Sequence, residues 1–309
     1  MTLEDCREPK VELERFYAKP CGLVFKAWTS ADHVKNWFPP IGYSALQCKV
    51  EPRVDGVFEL VMHAEDGSND HWMRGKFTAL APPNSLAFDA NVTQLDGTPL
   101  FSAATVVTFN EEGDGTRVHV VQTYSINADP EMIKAMMQGA PIGWGQSLDK
   151  LGAEIERVPA VTHSTFQIER TYAASVDRVF LALSDSKAKA KWFAGGTDSW
   201  KPIEQSMDFR VGGREVAKGR WIEGGVVTSF EALYHDIIPL QRIVYSYVMH
   251  INATKISVSL ATIELDKTRN GTHLRVTEQG TFLNGYDDNG SREHGTKFLL
   301  EALGASLAD

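Results

Sequence analysis

The residue best suited to acid–base chemistry in this sequence is Glu278, in the segment GTHLRVTEQG. Leu274 and Val276 precede it at intervals of two, and side chains two apart in a strand lie on one face of the sheet. A carboxyl group on a buried face has a raised pKa and can exchange a proton near neutral pH. A glutamate that is solvated, or paired with an arginine at a strand end, gives the same pattern. Structural pairing, ligand anchoring and catalysis all stay open for Glu278.

Four other residues are the expected neighbours of Glu278. Arg210 and Glu215 lie in the segment DFRVGGRE, while Tyr245 and Tyr247 alternate in IVYSY and so share a strand face. Tyrosine hydroxyls on such a face can orient the polar end of a ligand inside an apolar cavity. Tyrosines of an ordinary core have the same spacing. We predict that Arg210, Tyr245, Tyr247 and Glu278 contribute to a ligand site, with Glu278 as the candidate catalytic residue.

The residues named above belong to a sequence unit that is repeated in the chain. The segment ERFYAKPCGLVFKAWTSADHVKNWF aligns without a gap on ERTYAASVDRVFLALSDSKAKAKWF, with nine of 25 positions identical at an offset of 155 residues. Further on, GWGQSLDKLGA aligns with GTKFLLEALGA, which places Gly143 on Gly295. A period of this length is a domain and far exceeds a solenoid repeat. We predict a domain over residues 8–158, a linker over 159–165 and a second domain over 166–309.

Each copy predicts the same order of elements. An alternating strand (VELERFYA or FQIERTYA) opens the copy, two short helices follow, and turn signals such as Asn270-Gly271 separate several strands. At the end of the first copy, Leu148, Leu151 and Ile155 keep the spacing of three and four residues that a helix requires. Helices gathered on one side of an antiparallel sheet make an α+β domain.

Both copies resemble one known family. The first does so through VFKAWTSADHVKNWF, VEPRVDGVFEL, GKFTALAPPNSLAF, VTFNEEGDGTRV and GWGQSLDKL, and the family is called activator of heat-shock protein 90 ATPase homologue. It belongs to the SRPBCC (START-like, helix-grip) superfamily. The second copy, with KWFAG, DFRVGGRE, RIVYSYVM and TEQGTFLNGYD, looks like a bacterial branch of the same family. The resemblance implies two tandem helix-grip domains, each with a curved sheet around a long C-terminal helix and a cavity that often holds an apolar ligand.

Aromatic residues are the expected walls of these cavities. Trp37 ends the second short helix and Trp144 opens the long one, and the resemblance places both positions at the cavity mouth. Gln122 lies on the strand face that aligns with Glu278. The same rings can also fill the interior and leave no cavity, so both interpretations stay open. The further predicted ligand-binding residues are Trp37, Phe38, Trp72, Phe88, Gln122, Trp144, Trp192 and Phe193.

Two other patterns suggest sites and are rejected. The segment GSREHGTK, residues 290–297, resembles a phosphate-binding loop, but its lysine and threonine are reversed and no hydrophobic strand precedes it. We therefore expect Gly295 to allow close packing at a helix start and Arg292 to lie on the surface of its first turn. His63 and His71 can face each other across a hairpin, but two histidines alone make a poor metal site. No metal and no other cofactor is predicted.

Composition limits the partners. The chain has 309 residues, of which 43% are hydrophobic and 23% charged, as in a soluble globular protein. A net charge of −9 argues against nucleic acid or an anionic membrane as partner. Cys6, Cys21 and Cys48 show no CxxC spacing, which favours reduced thiols. The N-terminal segment has no secretory signal and no apolar run reaches membrane-spanning length, so a cytoplasmic location is expected.

Three functions remain compatible with these observations. The first is binding of a small apolar or amphipathic molecule by the tandem domains. The second is an enzyme of the polyketide cyclase or dehydratase type that uses Glu278, a chemistry that the superfamily resemblance implies. The third is a co-chaperone-like role, with a chaperone ATPase as partner, which the family resemblance implies.

Overall fold

The computed structural model describes residues 9–68, 70–125, 130–193, 200–222 and 225–308. The chain forms two compact units. One contains Met1–Ala160 with Asn284–Tyr286, and the other contains Val161–Leu283 with Asp287–Asp309. Each unit is an α+β helix-grip fold, which confirms the fold expected from the sequence.

The first unit runs in the predicted order of strand, two short helices, six strands and one long helix. Its elements are β1 Lys10–Tyr17, α1 Cys21–Thr29, α2 Ala31–Trp37, β2 Tyr43–Val50, β3 Val57–Ala64, β4 Asp70–Ala81, β5 Ser85–Gln94, β6 Pro99–Glu112, β7 Gly115–Ser125 and α3 Pro130–Ile155.

The second unit repeats this order. Its elements are β8 Val161–Tyr172, α4 Val176–Ser184, α5 Ser186–Ala190, β9 Trp200–Met207, β10 Arg214–Trp221, β11 Val227–Ile238, β12 Arg242–Ile251, β13 Thr254–Thr268, β14 Gly271–Leu283 and α6 Asn289–Ser306. Because β8 already begins at Val161, most of the stretch expected as a linker is part of the first strand. The alternation FQIERTYA marked only the buried part of that strand, and VTHST extends it as an exposed segment that pairs with β14.

Each sheet is antiparallel and has seven strands. The strand orders are β1-β7-β6-β5-β4-β3-β2 and β8-β14-β13-β12-β11-β10-β9. The first strand of each unit therefore pairs with the last, and the remaining strands follow as a meander. This order puts β12, β13 and β14 side by side, so residues far apart in sequence face the same interior.

The long helix of each unit is fixed to the first strand by the same hydrogen bond. The Tyr17 hydroxyl donates to the Leu148 carbonyl at 2.7 Å, and the Tyr172 hydroxyl donates to the Leu300 carbonyl at 2.8 Å. All four residues are buried. The duplication thus extends from the sequence to individual contacts that hold the helix against the sheet.

Aromatic rings fill the interior of the first unit. Phe58 and Phe88 stack with ring centroids 4.4 Å apart, and Trp28 lies 4.5 Å from Trp37 and 6.0 Å from Trp144. Phe58, Phe88, Trp28 and Trp37 have no exposed surface. Close-packed rings of this kind leave little room for a ligand.

Within the described residues, no helix combines the length and apolar character that crossing a membrane would require.

Candidate functional site in the second unit

Strand β14 places Glu278 inside the second unit. Its neighbour across the sheet is Ala261 on β13, and only 3% of Glu278 is exposed. Leu274 and Val276 on the same face are buried as well, as strand alternation requires. Gln122 holds the equivalent position on β7 of the first unit. The carboxylate is therefore an interior group of a fold whose other copy has an amide there.

Two side chains from other elements meet at Glu278. The Tyr247 hydroxyl, on β12, donates to Glu278 Oε1 at 2.5 Å. Arg292 Nη1, on α6, donates to the Tyr247 oxygen at 2.7 Å and lies 3.4 Å from Glu278 Oε1. All three residues are buried. Burial of a charge is costly unless it is paired and hydrogen-bonded, and these contacts satisfy that condition.

The second guanidinium nitrogen of Arg292 is also engaged. Nη2 donates to Ser257 Oγ at 2.6 Å and to the carboxylate of Asp287. Asp288 caps helix α6 by accepting a hydrogen bond from the Ser291 backbone, which fixes the turn that carries Arg292. Arg292 therefore points inward, and the expectation that it lies on the surface of this turn was wrong.

The charges of this cluster oppose one another. Burial raises the pKa of the Glu278 carboxyl, although the Tyr247 hydroxyl and the Arg292 charge act in the opposite direction. Burial also raises the pKa of Asp287 against the effect of Arg292. Burial by itself lowers the pKa of Arg292, but Tyr247 and the two carboxylates outweigh it, and the net pKa is raised. One permanent cation thus lies between two carboxyl groups whose pKa values are both raised by burial.

Glu278→Gln is expected to gain stability relative to the wild type as the pH rises. The folded-state pKa of Glu278 lies above its usual value of 4.5. Its contribution to stability is therefore present below the unfolded pKa and is lost as the pH rises through the folded pKa. Glutamine has no proton to lose. The free energy of unfolding of the variant should therefore increase relative to that of the wild type above about pH 4.3, and this difference should then level off.

Urea unfolding of both proteins at a series of pH values measures this difference. The exposed Glu301 supplies a matched control, Glu301→Gln, whose difference from the wild type should change much less over the same range. A Glu278→Gln difference that is flat with pH would show that the carboxyl is not desolvated in the folded protein.

A second buried carboxylate lies elsewhere in the same unit. The Tyr234 hydroxyl, on β11, donates to Glu215 Oε2, on β10. Lys189 Nζ, on α5, donates to the same oxygen at 2.7 Å. Glu215 and Tyr234 are buried, and 12% of the Lys189 side chain is exposed. Glu215 was expected near Glu278, but it forms this separate ion pair.

Tyr245 lies between the two carboxylates. Its ring centroid is 6.0 Å from that of Tyr234 and 5.9 Å from that of Tyr247. Burial, with smaller effects of Tyr247, Glu278 and Glu215, raises the pKa of its hydroxyl well above the usual value. The residue nevertheless keeps accessible surface, and its hydroxyl has no hydrogen-bond partner in the part of the chain that the structure describes. Tyr245 is thus a polar group of this interior whose hydroxyl is free to bond to a molecule other than the described protein groups.

Small residues surround these polar groups. Ala217, Ala232 and Ala261 form a buried group with Phe230 and Tyr247, and this group is separate from the main core of the unit. Alanine side chains occupy little volume, and within this group the rings of Phe230 and Tyr247 lie 4.9 Å apart between centroids.

Strand pairing shows what the first unit has at the same positions. Apolar side chains there correspond to polar or smaller ones in the second unit. The aligned pairs, first unit before second, are Val34 and Lys189, Phe58 and Glu215, Leu60 and Ala217, Phe77 and Tyr234, Phe88 and Tyr245, and Ala90 and Tyr247. The second unit has therefore exchanged part of an aromatic core for two buried ion pairs.

In the first unit, Gln122 is the polar group that lies where the second unit has Glu278, and its hydrogen bonds are made within the protein. Its amide nitrogen donates to Thr105 Oγ1 at 2.7 Å, and its amide oxygen accepts from Trp144 Nε1 at 2.8 Å. The indole that makes this bond stacks on Trp28. Both ends of the amide are occupied by the protein itself, and the surrounding rings close the interior.

The family model described as Activator of Hsp90 ATPase homolog 1-like protein matches residues 18–156 and again residues 173–308. These two regions cover most of both units. The chain belongs to this family, in two tandem copies.

Solved structures resemble single copies or the whole of this family member. A protein of Rhizobium leguminosarum is 39% identical, covers 48% of this chain and 96% of its own, and has a TM-score of 0.46. The Mll3558 protein of Rhizobium loti is 47% identical over 48% of this chain and 100% of its own, with a TM-score of 0.45. The di-domain ARO/CYC BexL of the BE-7585A biosynthetic pathway is 13% identical over 97% and 99%, with a TM-score of 0.39. No protein of curated function matches the chain.

The predicted site residues of this family member fall into three groups. Tyr245, Tyr247 and Glu278 come together in the second unit, and Phe193 packs beside them against Phe230 at 5.0 Å. Trp192 is buried in the main core of that unit and donates its indole hydrogen to the Ala182 carbonyl. The third group lies among the packed aromatic rings of the first unit and consists of Trp37, Phe38, Phe88, Gln122 and Trp144.

Two predicted residues lie away from any interior. Arg210 is exposed and pairs with Asp208 at 2.9 Å, because it lies in the turn before β10 and not within a strand. Trp72 lies on the outer face of its sheet, with the guanidinium of Arg74 3.6 Å above its ring. Met73, the next residue, is the one that faces the core. Neither Arg210 nor Trp72 contacts the cluster at Glu278.

The two histidines considered for a metal do not face each other. His63 Nδ1 lies 2.6 Å from Asp70 Oδ1, and His71 stacks on the ring of Tyr43. Across the described ranges, no group of three or more suitable side chains could hold a metal ion.

Sequence reasoning missed Arg292, Asp287, Lys189 and Tyr234. A signal for two of them was present, because extending the alignment of the two copies puts Lys189 on Val34 and Arg292 on Ala140. A charged residue at a position that is apolar in the other copy of the same fold indicates a specific partner. For Asp287 and Tyr234 the pattern offered no such contrast.

Proposed function

We propose that the second unit of this protein binds a small amphipathic molecule with a mainly apolar body in its interior. The observation that carries the proposal is the contrast between the two copies of one fold. Where the first unit is filled by Phe58, Leu60 and Phe88, the second has Glu215, Ala217 and Tyr245. Buried ion pairs contribute little net stability, so this exchange is better explained by function than by folding.

The arrangement suits ligand binding in its chemistry. Binding sites for small molecules are mostly apolar clefts with a few placed polar groups. Phe193, Phe230 and the alanines supply apolar walls, while the unpartnered hydroxyl of Tyr245 supplies a donor and acceptor. The cluster of Glu278, Tyr247 and Arg292 holds that wall rigid. We assign binding to the second unit, because the aromatic rings close the first.

Ala217→Leu is expected to abolish or strongly reduce ligand binding. The change restores the side chain that the first unit has as Leu60, and it fills space next to Phe230 without removing any polar group. Titration with the neutral fluorescent probe Nile red compares the two proteins, and a loss of about tenfold or more in affinity is expected. Native mass spectrometry of the freshly purified wild type tests the same point for a ligand retained from the cell.

Ala305→Leu makes the same substitution at an exposed position of α6, away from this interior, and serves as the control. It should leave the affinity for Nile red unchanged. Equal affinity of wild type and Ala217→Leu would contradict binding in this interior.

An acid–base reaction is the second candidate function. It is favoured by the raised pKa of Glu278, whose carboxyl accepts a hydrogen bond from Tyr247. A carboxyl with a raised pKa can act as a general acid or base near neutral pH. Glu278→Gln separates the two functions, because binding should survive the substitution while turnover of any substrate should fall by about 100-fold or more.

A further inference from the structure

A cavity of about 250 Å³ lies between helix α5 and strands β9 and β10. Its apolar walls are Ala190, Phe193, Met207, Val216 and Ala217. The volume is slightly below the range of about 300 Å³ and more that drug-sized ligands occupy, so it suits a small aromatic or short-chain molecule.

The cavity adjoins the interior described above. Phe193 lies 5.0 Å from Phe230, measured between ring centroids, and Phe230 in turn lies 4.9 Å from Tyr247. Ala217, at the inner wall, pairs with Phe230 across the sheet. An apolar group that enters the cavity therefore meets the buried group of alanines and aromatic rings around Phe230.

Three charged side chains line the cavity, and their sum is positive. Of the described residues at its wall, Lys187 and Lys189 are cations and Glu215 is the single acid. Lys189 and Glu215 form an ion pair at 2.7 Å. Lys187 is exposed and has no partner among the described residues. Among the described residues of the wall, the cations therefore exceed the acids by one.

Lys189 also retains hydrogen-bonding capacity. An ammonium group has three donors, and among the described residues Glu215 Oε2 is the one acceptor for Lys189. Its nitrogen lies 4.7 Å from the centre of the Phe193 ring, over the apolar wall. A ligand whose ring packs on Phe193 would place an attached oxygen within reach of this ammonium.

We propose that the ligand of the second unit is an anionic amphiphile, a small apolar or aromatic body with a carboxylate-like or sulfonate-like group, held at the opening by Lys189 and Lys187. The assignment rests on the proposed binding function and adds the ligand's charge and orientation. The apolar body enters first and lies against Phe193 and Ala217. A cationic amphiphile would meet two lysines at the same place and is disfavoured.

Two probes that differ in charge test the proposal. The anionic dye 8-anilinonaphthalene-1-sulfonate and the neutral dye Nile red are titrated into the full chain, and only binding that Ala217→Leu removes is counted. The double variant Lys189→Met with Glu215→Gln removes both members of the ion pair and so leaves no buried charge without its partner. We expect its affinity for the anionic dye to fall about tenfold, because the charge-assisted hydrogen bond from Lys189 is lost. Its affinity for Nile red should change less than about twofold.

Three further variants keep the result interpretable. Lys189→Arg retains the charge and should retain most of the affinity for the anionic dye. Lys191→Met removes an exposed lysine that does not line the cavity, and it should change neither affinity. Lys187→Met alters only a surface side chain and should weaken the anionic dye alone, even if the double variant does not fold.

The outcomes separate this proposal from the function on which it rests. If the lysine variants weaken both dyes equally, or neither, the charge assignment is wrong and binding in the second unit stands. If Ala217→Leu removes the binding of neither dye, the binding function itself fails.

Discussion

Replacing Arg292 with leucine is expected to lower the free energy of unfolding of the second unit by about 3–5 kcal/mol. The guanidinium is bonded to Glu278, Tyr247, Ser257 and Asp287, and its removal leaves two buried carboxyl groups without a cation. Those groups must then take up protons or admit water, and both responses cost stability. The loss of stability should be largest at neutral pH and smaller at acid pH, where protonation of the two carboxyl groups costs little free energy.

Arg210→Leu is the matched control, because it removes the same side chain from an exposed pair with Asp208. An exposed ion pair contributes about 0–1 kcal/mol, so the control should be nearly neutral. Unfolding in urea, followed by hydrogen exchange of β12 and β14, reports on the second unit specifically. Similar losses for both variants would show that the Arg292 cluster is solvated.

A second comparison isolates the charge. Adding Glu278→Leu to Arg292→Leu removes one of the stranded carboxyl groups, and the double variant should recover part of the lost stability. If the double variant is as unstable as the sum of the single ones, packing of the arginine stem and not its charge holds the helix in place.

The contrast between Arg292 and Arg210 shows what sequence patterns can and cannot predict here. Period-two spacing placed Glu278, Tyr245 and Tyr247 on one face, because the alternation of a strand is a local property. The partner of Glu278 is not local. Arg292 reaches it because Asp288 fixes the first turn of α6, and no pattern within that turn marks the direction of the side chain.

The fold was predictable for a different reason. The duplication supplied two versions of one pattern, and the positions they share, such as the tyrosines that bond to the long helix, are those that the fold needs. The positions where they differ carry the candidate site. The sequence left open whether aromatic side chains line or fill a cavity, because that depends on how rings from several strands meet.

Phe88→Ala in the first unit is expected to cost about 3–5 kcal/mol of stability. The ring has no exposed surface and packs against Phe58, Phe77 and Phe38, so its removal leaves a cavity enclosed by rigid neighbours. Tyr245 holds the equivalent position in the second unit, where part of the residue is exposed. Tyr245→Ala should therefore cost at least about 1 kcal/mol less, since a partly exposed side chain loses fewer contacts and less buried apolar surface.

The two substitutions can be measured in one full-length background by hydrogen exchange of β5 and β12 in urea. Phe88→Ala should destabilise the first unit and Tyr245→Ala the second. The difference between the two losses in free energy of unfolding then compares how closely the two interiors are packed at one position of the fold. Equal costs would mean that the second interior is as closely filled as the first, and the case for a ligand there would fail. A smaller cost for Tyr245→Ala, together with loss of Nile red binding by Ala217→Leu, would locate the ligand beside the ring that the second copy leaves partly uncovered.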